Sequence, residues 1–248
     1  MSELSPTILI SRPLAAAERF AAALQGAGID APVVISPLMK VEPTDAGVPL
    51  AGVSGVIFTS ANGVAFAPEG NLPAWCVGEA TAEAARAKGW HAIAAGGDAE
   101  ALVERVLADK RAGKVFGPLL HFRGAFARGD IAKRLCAAEV ETGEAVVYEQ
   151  RLVPLTQAAK SLLLRENPVI VPLFSPRTAA QFSKEAALLT TTSHVFVAAM
   201  SAAVAEALSE NLTQDVVVAE KSDVNSMIDA VSRLLAAAVH VEERSRLT

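Results

Sequence analysis

The chain has 248 residues, 52% of them hydrophobic and 20% charged, which suffices for one large domain or two of about 100–150 residues, each with its own core. A net charge of −5, with no basic cluster interleaved with aromatics, disfavours nucleic acid as a partner. It also means that an anionic ligand must be held by local arrangements, because the overall field does not attract it. No apolar stretch reaches the about 18 residues of a spanning helix, and no basic-then-apolar leader opens the chain. Cys76 and Cys136 are too few and too far apart for a disulfide framework or a metal knuckle. A cytoplasmic protein that binds no membrane and no metal is expected.

Residues 7–11 read as a buried strand, and Arg12-Pro13 lead into a helix from Leu14 that Gly26 and Gly28 end. GAGIDA at 26–31 mimics a dinucleotide fingerprint, but it follows a helix, whereas that fingerprint follows a strand and opens a helix. Residues 32–43 form one extended, proline-bounded stretch that leaves a domain, and 44–52 are a polar loop. Over 53–67 the apolar run Val56-Ile57-Phe58 stops at Thr59-Ser60-Ala61-Asn62-Gly63 and gives way to helical spacing. This is a buried strand that delivers small polar groups and free N–H donors to the mouth of a helix. Trp75-Cys76-Val77 is a strand, Gly78-Glu79-Ala80-Thr81 a turn, and a helix runs from Ala82 to Lys88. After the strand Ala92-Ile93-Ala94, Asp98 caps a helix with Leu102, Val103, Val106 and Leu107 on one face.

Leu119-Leu120-His121-Phe122 reach Arg123-Gly124, and a helix follows through Ile131, Leu135 and Cys136. Residues 144–154 are extended again, and 156–166 are helical. A second strand, through Val169, Ile170, Val171, Leu173 and Phe174, runs into Ser175-Pro176-Arg177-Thr178 and a helix. Residues 194–210 repeat the strand–turn–helix plan through Ser201, and Val216-Val217-Val218 is a strand. Ser222-Asp223 start a helix bearing Met227, Ile228 and Val231, and the end, EERSRLT, is expected to fray.

Alternating strands and helices mark parallel sheets covered by helices, whose ligands sit at the carboxyl ends of strands. The units also match across the halves. Arg12 stands to Leu24 as Arg123 stands to Leu135. Phe58-Thr59-Ser60 matches Phe174-Ser175-Pro176, and Gly78-Glu79-Ala80-Thr81 matches Ser201-Ala202-Ala203-Val204. Asp98 with Leu102, Val103 and Val106 matches Asp223 with Met227, Ile228 and Val231. The Arg unit comes first in one set and last in the other, so the repeat is circularly shifted. The expected fold is two similar parallel-sheet α/β domains joined by a two-stranded β-ladder, one inserted in the other. The host takes residues 1–35 and 154–248, the insert 40–147, and the linker strands 36–39 and 148–153. Two alike edges then face one ligand.

No phosphate loop and no Gly-x-Ser-x-Gly elbow is present. His91, His121, His194 and His240 share no ligand spacing, and nothing places Ser60, His121 and Asp130 together as a triad. What remains is a set of helix N-termini: Ser60 to Gly63, Gly78 to Thr81, Arg123-Gly124, Ser175-Pro176 and Ser201. Such termini bind anions through uncommitted N–H groups and the positive end of the dipole, although ordinary capping explains any one of them. Arg12, Arg123 and Arg177 stand beside these turns, where they can pair carboxylates or stay solvated. Tyr148 is the only tyrosine and lies on a proposed crossing.

Together, VIFTSANGV (56–64), VGEATAEAA (77–85), HFRGAFARGDIAKRL (121–135), VVYEQ (146–150) and LFSPRTAAQF (173–182) resemble the uroporphyrinogen-III synthase family in order and spacing. The resemblance covers nearly the whole chain and implies a cofactorless lyase of tetrapyrrole biosynthesis. Such an enzyme closes hydroxymethylbilane, a linear tetrapyrrole with eight carboxylates, into uroporphyrinogen III with inversion of the last ring and loss of water. It further implies a monomer supplied by hydroxymethylbilane synthase. By the same resemblance Tyr148 assists departure of the hydroxyl and Thr81 lines the cleft. Ser60 and Ser175 are paired edge serines. Arg12, Thr59, Asn62, Gly78, Arg123, Gly124, Pro176, Arg177 and Ser201, which lie at or beside the strand-end turns, complete the expected substrate-binding set. One departure stands out: Ser201 and Val204 replace the glycine and threonine that the family often has. The alternative is a two-domain protein that binds or senses a small anion without chemistry. A phosphosugar or nucleotide enzyme would need the phosphate loop that is missing.

Overall fold

The computed structural model describes residues 5–44, 47, 50–126, 129–189, 193–209 and 212–245, the last seven of these as backbone only. The chain divides into two compact units, Met1–Lys40 with Leu152–Thr248 and Val41–Arg151. The first holds strands β1 (Thr7–Ile10), β2 (Val33–Ile35), β9 (Val169–Leu173), β10 (Val195–Ala199) and β11 (Asp215–Val218). Its helices are α1 (Leu14–Gly26), α6 (Gln157–Leu163), α7 (Pro176–Ala187), α8 (Ala202–Glu206) and α9 (Val224–Ser245). The second holds β4 (Gly55–Phe58), β5 (Pro73–Cys76), β6 (His91–Ala94) and β7 (Leu119–Gly124), with α2 (Ala61–Phe66), α3 (Glu79–Ala87), α4 (Ala99–Arg111) and α5 (Ile131–Ala137). Two strands, β3 (Met39–Pro43) and β8 (Thr142–Leu152), carry the chain from one unit to the other.

The first sheet runs β2-β1-β9-β10-β11, and every pairing in it is parallel. Its buried residues alternate between two cores, as pleated strands require. Ile8, Ile10, Ile170 and Phe196 pack under Phe20 of α1 and Met227, Val231 and Leu234 of α9. Leu9, Val169, Val171 and Val197 pack under Leu162 of α6, Phe182 of α7 and Val204 of α8. The second sheet runs β3-β8-β7-β4-β5-β6. From β8 to β6 it is parallel, while β3 runs against β8, with the Thr44 N–H donating to Val147 O and the Val153 N–H to Leu38 O. Phe58, Phe122, Trp90 and Ala85 fill the core on the α2–α3 face. Ile57, Trp75, Leu102 and Leu135 fill the core on the α4–α5 face.

In strand order, β8-β7-β4-β5-β6 repeats β2-β1-β9-β10-β11, but the pair that opens the chain in one unit closes the other. That is the circular shift written as topology. In each sheet the order reverses at one place, between β1 and β9 and between β7 and β4, where α/β sheets hold their ligands.

Local signals explain most boundaries. Ser175 caps α7, Pro176 fits its first turn, and Ala179, Phe182 and Ala186 repeat on the buried side. Asp98 caps α4 through the Ala101 N–H, and Lys110 and Arg111 complement its carboxyl end. Four expectations need correction. The stretch 32–43 is not one strand, because β2 pairs with β1 in the first sheet and β3 lies beside β8 in the second. α3 begins at Glu79, so Thr81 lies inside the helix, where the Gly78 carbonyl accepts its N–H. Arg123-Gly124 end strand β7 and open no helix; α5 starts at Ile131. The terminal EERSRLT is helical through Ser245, and its last residues, 246–248, lie outside the described residues. In the expected loop 44–52, positions 45, 46, 48 and 49 also lie outside them.

Candidate active site

At the carboxyl end of β4, Ser60 caps α2 by accepting the Gly63 N–H at 3.2 Å. The same oxygen lies 3.2 Å from the hydroxyl of Tyr148 on β8. Two features aim the tyrosine. The β7–β8 ladder pairs Arg123 with Val146 but Gly124 with Tyr148, so a bulge shifts the register by one residue there. The Tyr148 ring then lies where a side chain on Gly124 would stand: a Cβ there would be 2.5 Å from ring carbons and 2.9 Å from the hydroxyl oxygen. Phe66 flanks the ring with centroids 5.9 Å apart, and the Ala125 N–H donates to the Tyr148 carbonyl. A nearly buried phenol is thus held on glycine with its polar tip against a capping serine.

Arg123 and His121 alternate with Phe122 and Gly124 along β7 and so point to the opposite face of the sheet. His121 is fully buried, and its Nε2 lies 3.2 Å from Thr59 Oγ1. Its Nδ1 faces Glu144 Oε1 at 3.8 Å, an ion-pair distance too long for a hydrogen bond, and has no hydrogen-bond partner among the described residues. Arg123 donates to the other Glu144 oxygen at 2.7 Å and, through Nε, to the Gly124 carbonyl at 3.2 Å. Burial pushes the His121 pKa down from 6.5 to about 4, against an upward pull from Glu144. The ring is therefore neutral at pH 7.

In the first unit, Ser175 accepts the Thr178 N–H at 3.2 Å, and the two hydroxyls lie 2.9 Å apart. The Arg12 guanidinium sits 4.1 Å above the Phe174 ring, which meets Phe20 edge-on. Burial, then nearby Arg19, lowers the Arg12 pKa. Among the described residues it has no carboxylate in ion-pair reach. Ser201 precedes α8 in the backbone conformation that Gly78 has before α3, and its side chain makes no capping bond. Val204, in the place of Thr81, is buried in the core.

The second unit therefore gathers Ser60, Tyr148 and Gly124 on one face and Thr59 and Arg123 on the other. The first gathers Arg12 and Ser175. Asn62 is exposed on α2, and Pro176 and Arg177 are exposed at the start of α7. Thr81 is buried, and its hydroxyl makes no hydrogen bond among the described residues. The cap geometry also adjusts the repeat by one position: Ser60 corresponds to Ser175, and Thr59 to Phe174. His121 and Glu144 are polar partners that residue spacing could not single out. The signals for them were a histidine inside an apolar strand and an acid on its neighbour.

A family model described as "Uroporphyrinogen-III synthase HemD" matches residues 18–229. No curated protein matches the chain. The uroporphyrinogen-III synthetase of Helicobacter pylori 26695 is similar in structure, with a TM-score of 0.60 at 17% identity, over 92% of this chain and 99% of that one. A mutant uroporphyrinogen III synthase of Thermus thermophilus matches with a TM-score of 0.44 at 16% identity, over 94% of this chain and 100% of that one. The first of these likenesses speaks for the fold, two α/β units with mostly parallel sheets, and the family model spans most of the sequence that builds it. The chain belongs to the uroporphyrinogen-III synthase family.

Proposed function

We propose that the chain closes hydroxymethylbilane to uroporphyrinogen III, inverting ring D and releasing water, as a hydro-lyase that needs no cofactor. The observation that carries this is the family match over residues 18–229, and it favours an enzyme over a binding protein without chemistry. The Tyr148–Ser60 pair supplies a chemical device suited to the first step. Ser60 Oγ already accepts the Gly63 N–H, so its own proton is available to the Tyr148 oxygen. The phenolic proton is then free for the leaving hydroxyl. The pyrrole nitrogen lone pair expels that group as water, the C–O bond breaks, and an azafulvene remains. Attack by the substituted carbon of ring D gives a spirocyclic pyrrolenine, and rearrangement with loss of a ring proton, which restores the phenol given up in the first step, gives the type III isomer.

The uncatalysed route gives the type I isomer, so the protein's larger task is positional. Arg12 suits a substrate carboxylate, being a half-buried guanidinium on an aromatic face with no acidic partner among the described residues. Backbone N–H groups at Gly78, Ser201 and Ser175, with Asn62, Thr81, Arg123, Pro176 and Arg177, complete the proposed set. The substrate would come from hydroxymethylbilane synthase. The test is to supply freshly made hydroxymethylbilane, oxidise the product and resolve the porphyrin isomers. Excess type III supports the assignment, and type I alone at the no-enzyme rate overturns it.

A further inference from the structure

Thr59 stands at the same carboxyl edge as Ser60, yet its hydroxyl differs in what it can offer a ligand. Its one partner among the described residues is His121 Nε2 at 3.2 Å. A neutral imidazole carries one proton, so the direction of that bond depends on the tautomer. Glu144 settles it. Its Oε2 is held by Arg123 at 2.7 Å, which leaves Oε1 turned toward His121 Nδ1 at 3.8 Å. With the proton on Nδ1, a buried N–H dipole faces a carboxylate oxygen. With the proton on Nε2, a bare Nδ1 lone pair would face that anion with no other partner among the described residues. The first arrangement is attractive and the second repulsive. Nε2 is then an acceptor, and the Thr59 hydroxyl must donate to it.

Resting on the proposed reaction, we infer that His121 is a positioning residue that takes the Thr59 hydroxyl proton, so that Thr59 meets the substrate as a hydrogen-bond acceptor for a pyrrole N–H and not as a donor to a carboxylate. The arginine, glutamate and histidine come from two neighbouring strands, with His121 opposite Glu144 in the ladder, so the relay is built into the sheet register. It assigns the edge of β4 two complementary tasks. Thr59 orients a ring through its nitrogen, and Ser60 acts through Tyr148. A tetrapyrrole carries N–H donors as well as carboxylates, and ring orientation decides which isomer forms.

Two measurements test this. Long-range proton–nitrogen correlation spectra of the protein labelled with nitrogen-15 histidine read the tautomer directly, with His121 assigned by its disappearance in His121→Gln. The expected spectrum has a protonated Nδ1 and a bare Nε2; a protonated Nε2 overturns the inference. Steady-state kinetics then read the contact. Thr59→Val is expected to raise KM for hydroxymethylbilane about threefold to tenfold, the scale of one hydrogen bond. His121→Leu should do the same. His121→Gln, whose amide carbonyl can take the same proton, should recover most of the loss. An unchanged KM in Thr59→Val, or equal loss in the two His121 variants, contradicts the role. If the wild type made no type III product, the proposed reaction would fall while the spectrum still reported the state of Thr59, so the two failures are distinguishable.

Discussion

The places where the two sheets reverse their strand order are built on one plan and furnished differently. Each has an arginine at the end of the strand that follows the shift (Arg12 after β1, Arg123 in β7) and a capping serine after its neighbour (Ser175 and Ser60). In the first unit the arginine rests on Phe174, and its charge is not neutralised by any described carboxylate. In the second, threonine occupies the place of that phenylalanine, and Arg123 is bound to Glu144. The bulge beside Gly124 then brings a phenol onto Ser60. The difference is what the proposed reading builds on: one edge of a duplicated scaffold is assigned to gripping anions and the other to proton chemistry. The exchange needs only a few residues: Phe174 against Thr59, and Tyr148 with Gly124 in the second unit alone.

The largest expected effect breaks the chemical side of this comparison. Tyr148→Phe keeps the ring on Gly124 and removes the hydroxyl, so turnover should fall about 100-fold or more, the scale of a lost general acid. Its denaturation midpoint should stay near that of the wild type. Equal loss of stability and rate would make the tyrosine a packing residue.

His121 gives the next effect. Its pKa in the folded protein is about 4 against 6.5 when unfolded. Above pH 6.5 neither state binds the proton. As pH falls from 6.5 toward 4 the unfolded chain takes it up and the folded chain does not, so stability drops. The loss is on the order of 3 kcal/mol by pH 4 and levels off below it. Denaturation curves of the wild type and His121→Gln across that window should converge as pH falls, and a constant gap would contradict the burial argument.

Arg12→Gln and Arg123→Gln sharpen the gripping side. Loss of a charge-assisted bond should raise KM about tenfold or more for Arg12→Gln. The same change at Arg123 should raise it less, because that guanidinium is already engaged by Glu144. Equal effects would erase the distinction between the two edges. Smallest are the caps: Ser175→Ala and Ser60→Ala should each cost about 1 kcal/mol of stability. Only Ser60→Ala should also lower turnover, through its contact with Tyr148.

What was legible in the sequence was what depends on near neighbours. Ser60, Asp98 and Ser175 cap the helices that begin one residue later, and the apolar runs before Ser60 and Ser175 are strands of the expected type. The shifted repeat was legible because strand–turn–helix units keep their internal spacing. What escaped depends on register. Nothing near Arg123 shows that it still belongs to β7, since a glycine after an arginine suits a turn as well as a strand end. The pairing of Gly124 with Tyr148 needs a bulge that leaves no local mark. The bond between Thr59 and His121 joins strands far apart in the chain, and a lone histidine in an apolar strand reads as core until its partner is known.

The central claim is that one edge reacts while the other grips, and isomer-resolved kinetics with hydroxymethylbilane test it most directly. Wild type, Tyr148→Phe and Arg12→Gln would be run side by side across substrate concentrations. The account predicts type III product from the wild type, a fall in kcat with a rising share of type I for Tyr148→Phe, and a rise in KM with kcat largely kept for Arg12→Gln. A fall in kcat for both variants with KM unchanged in each would contradict it.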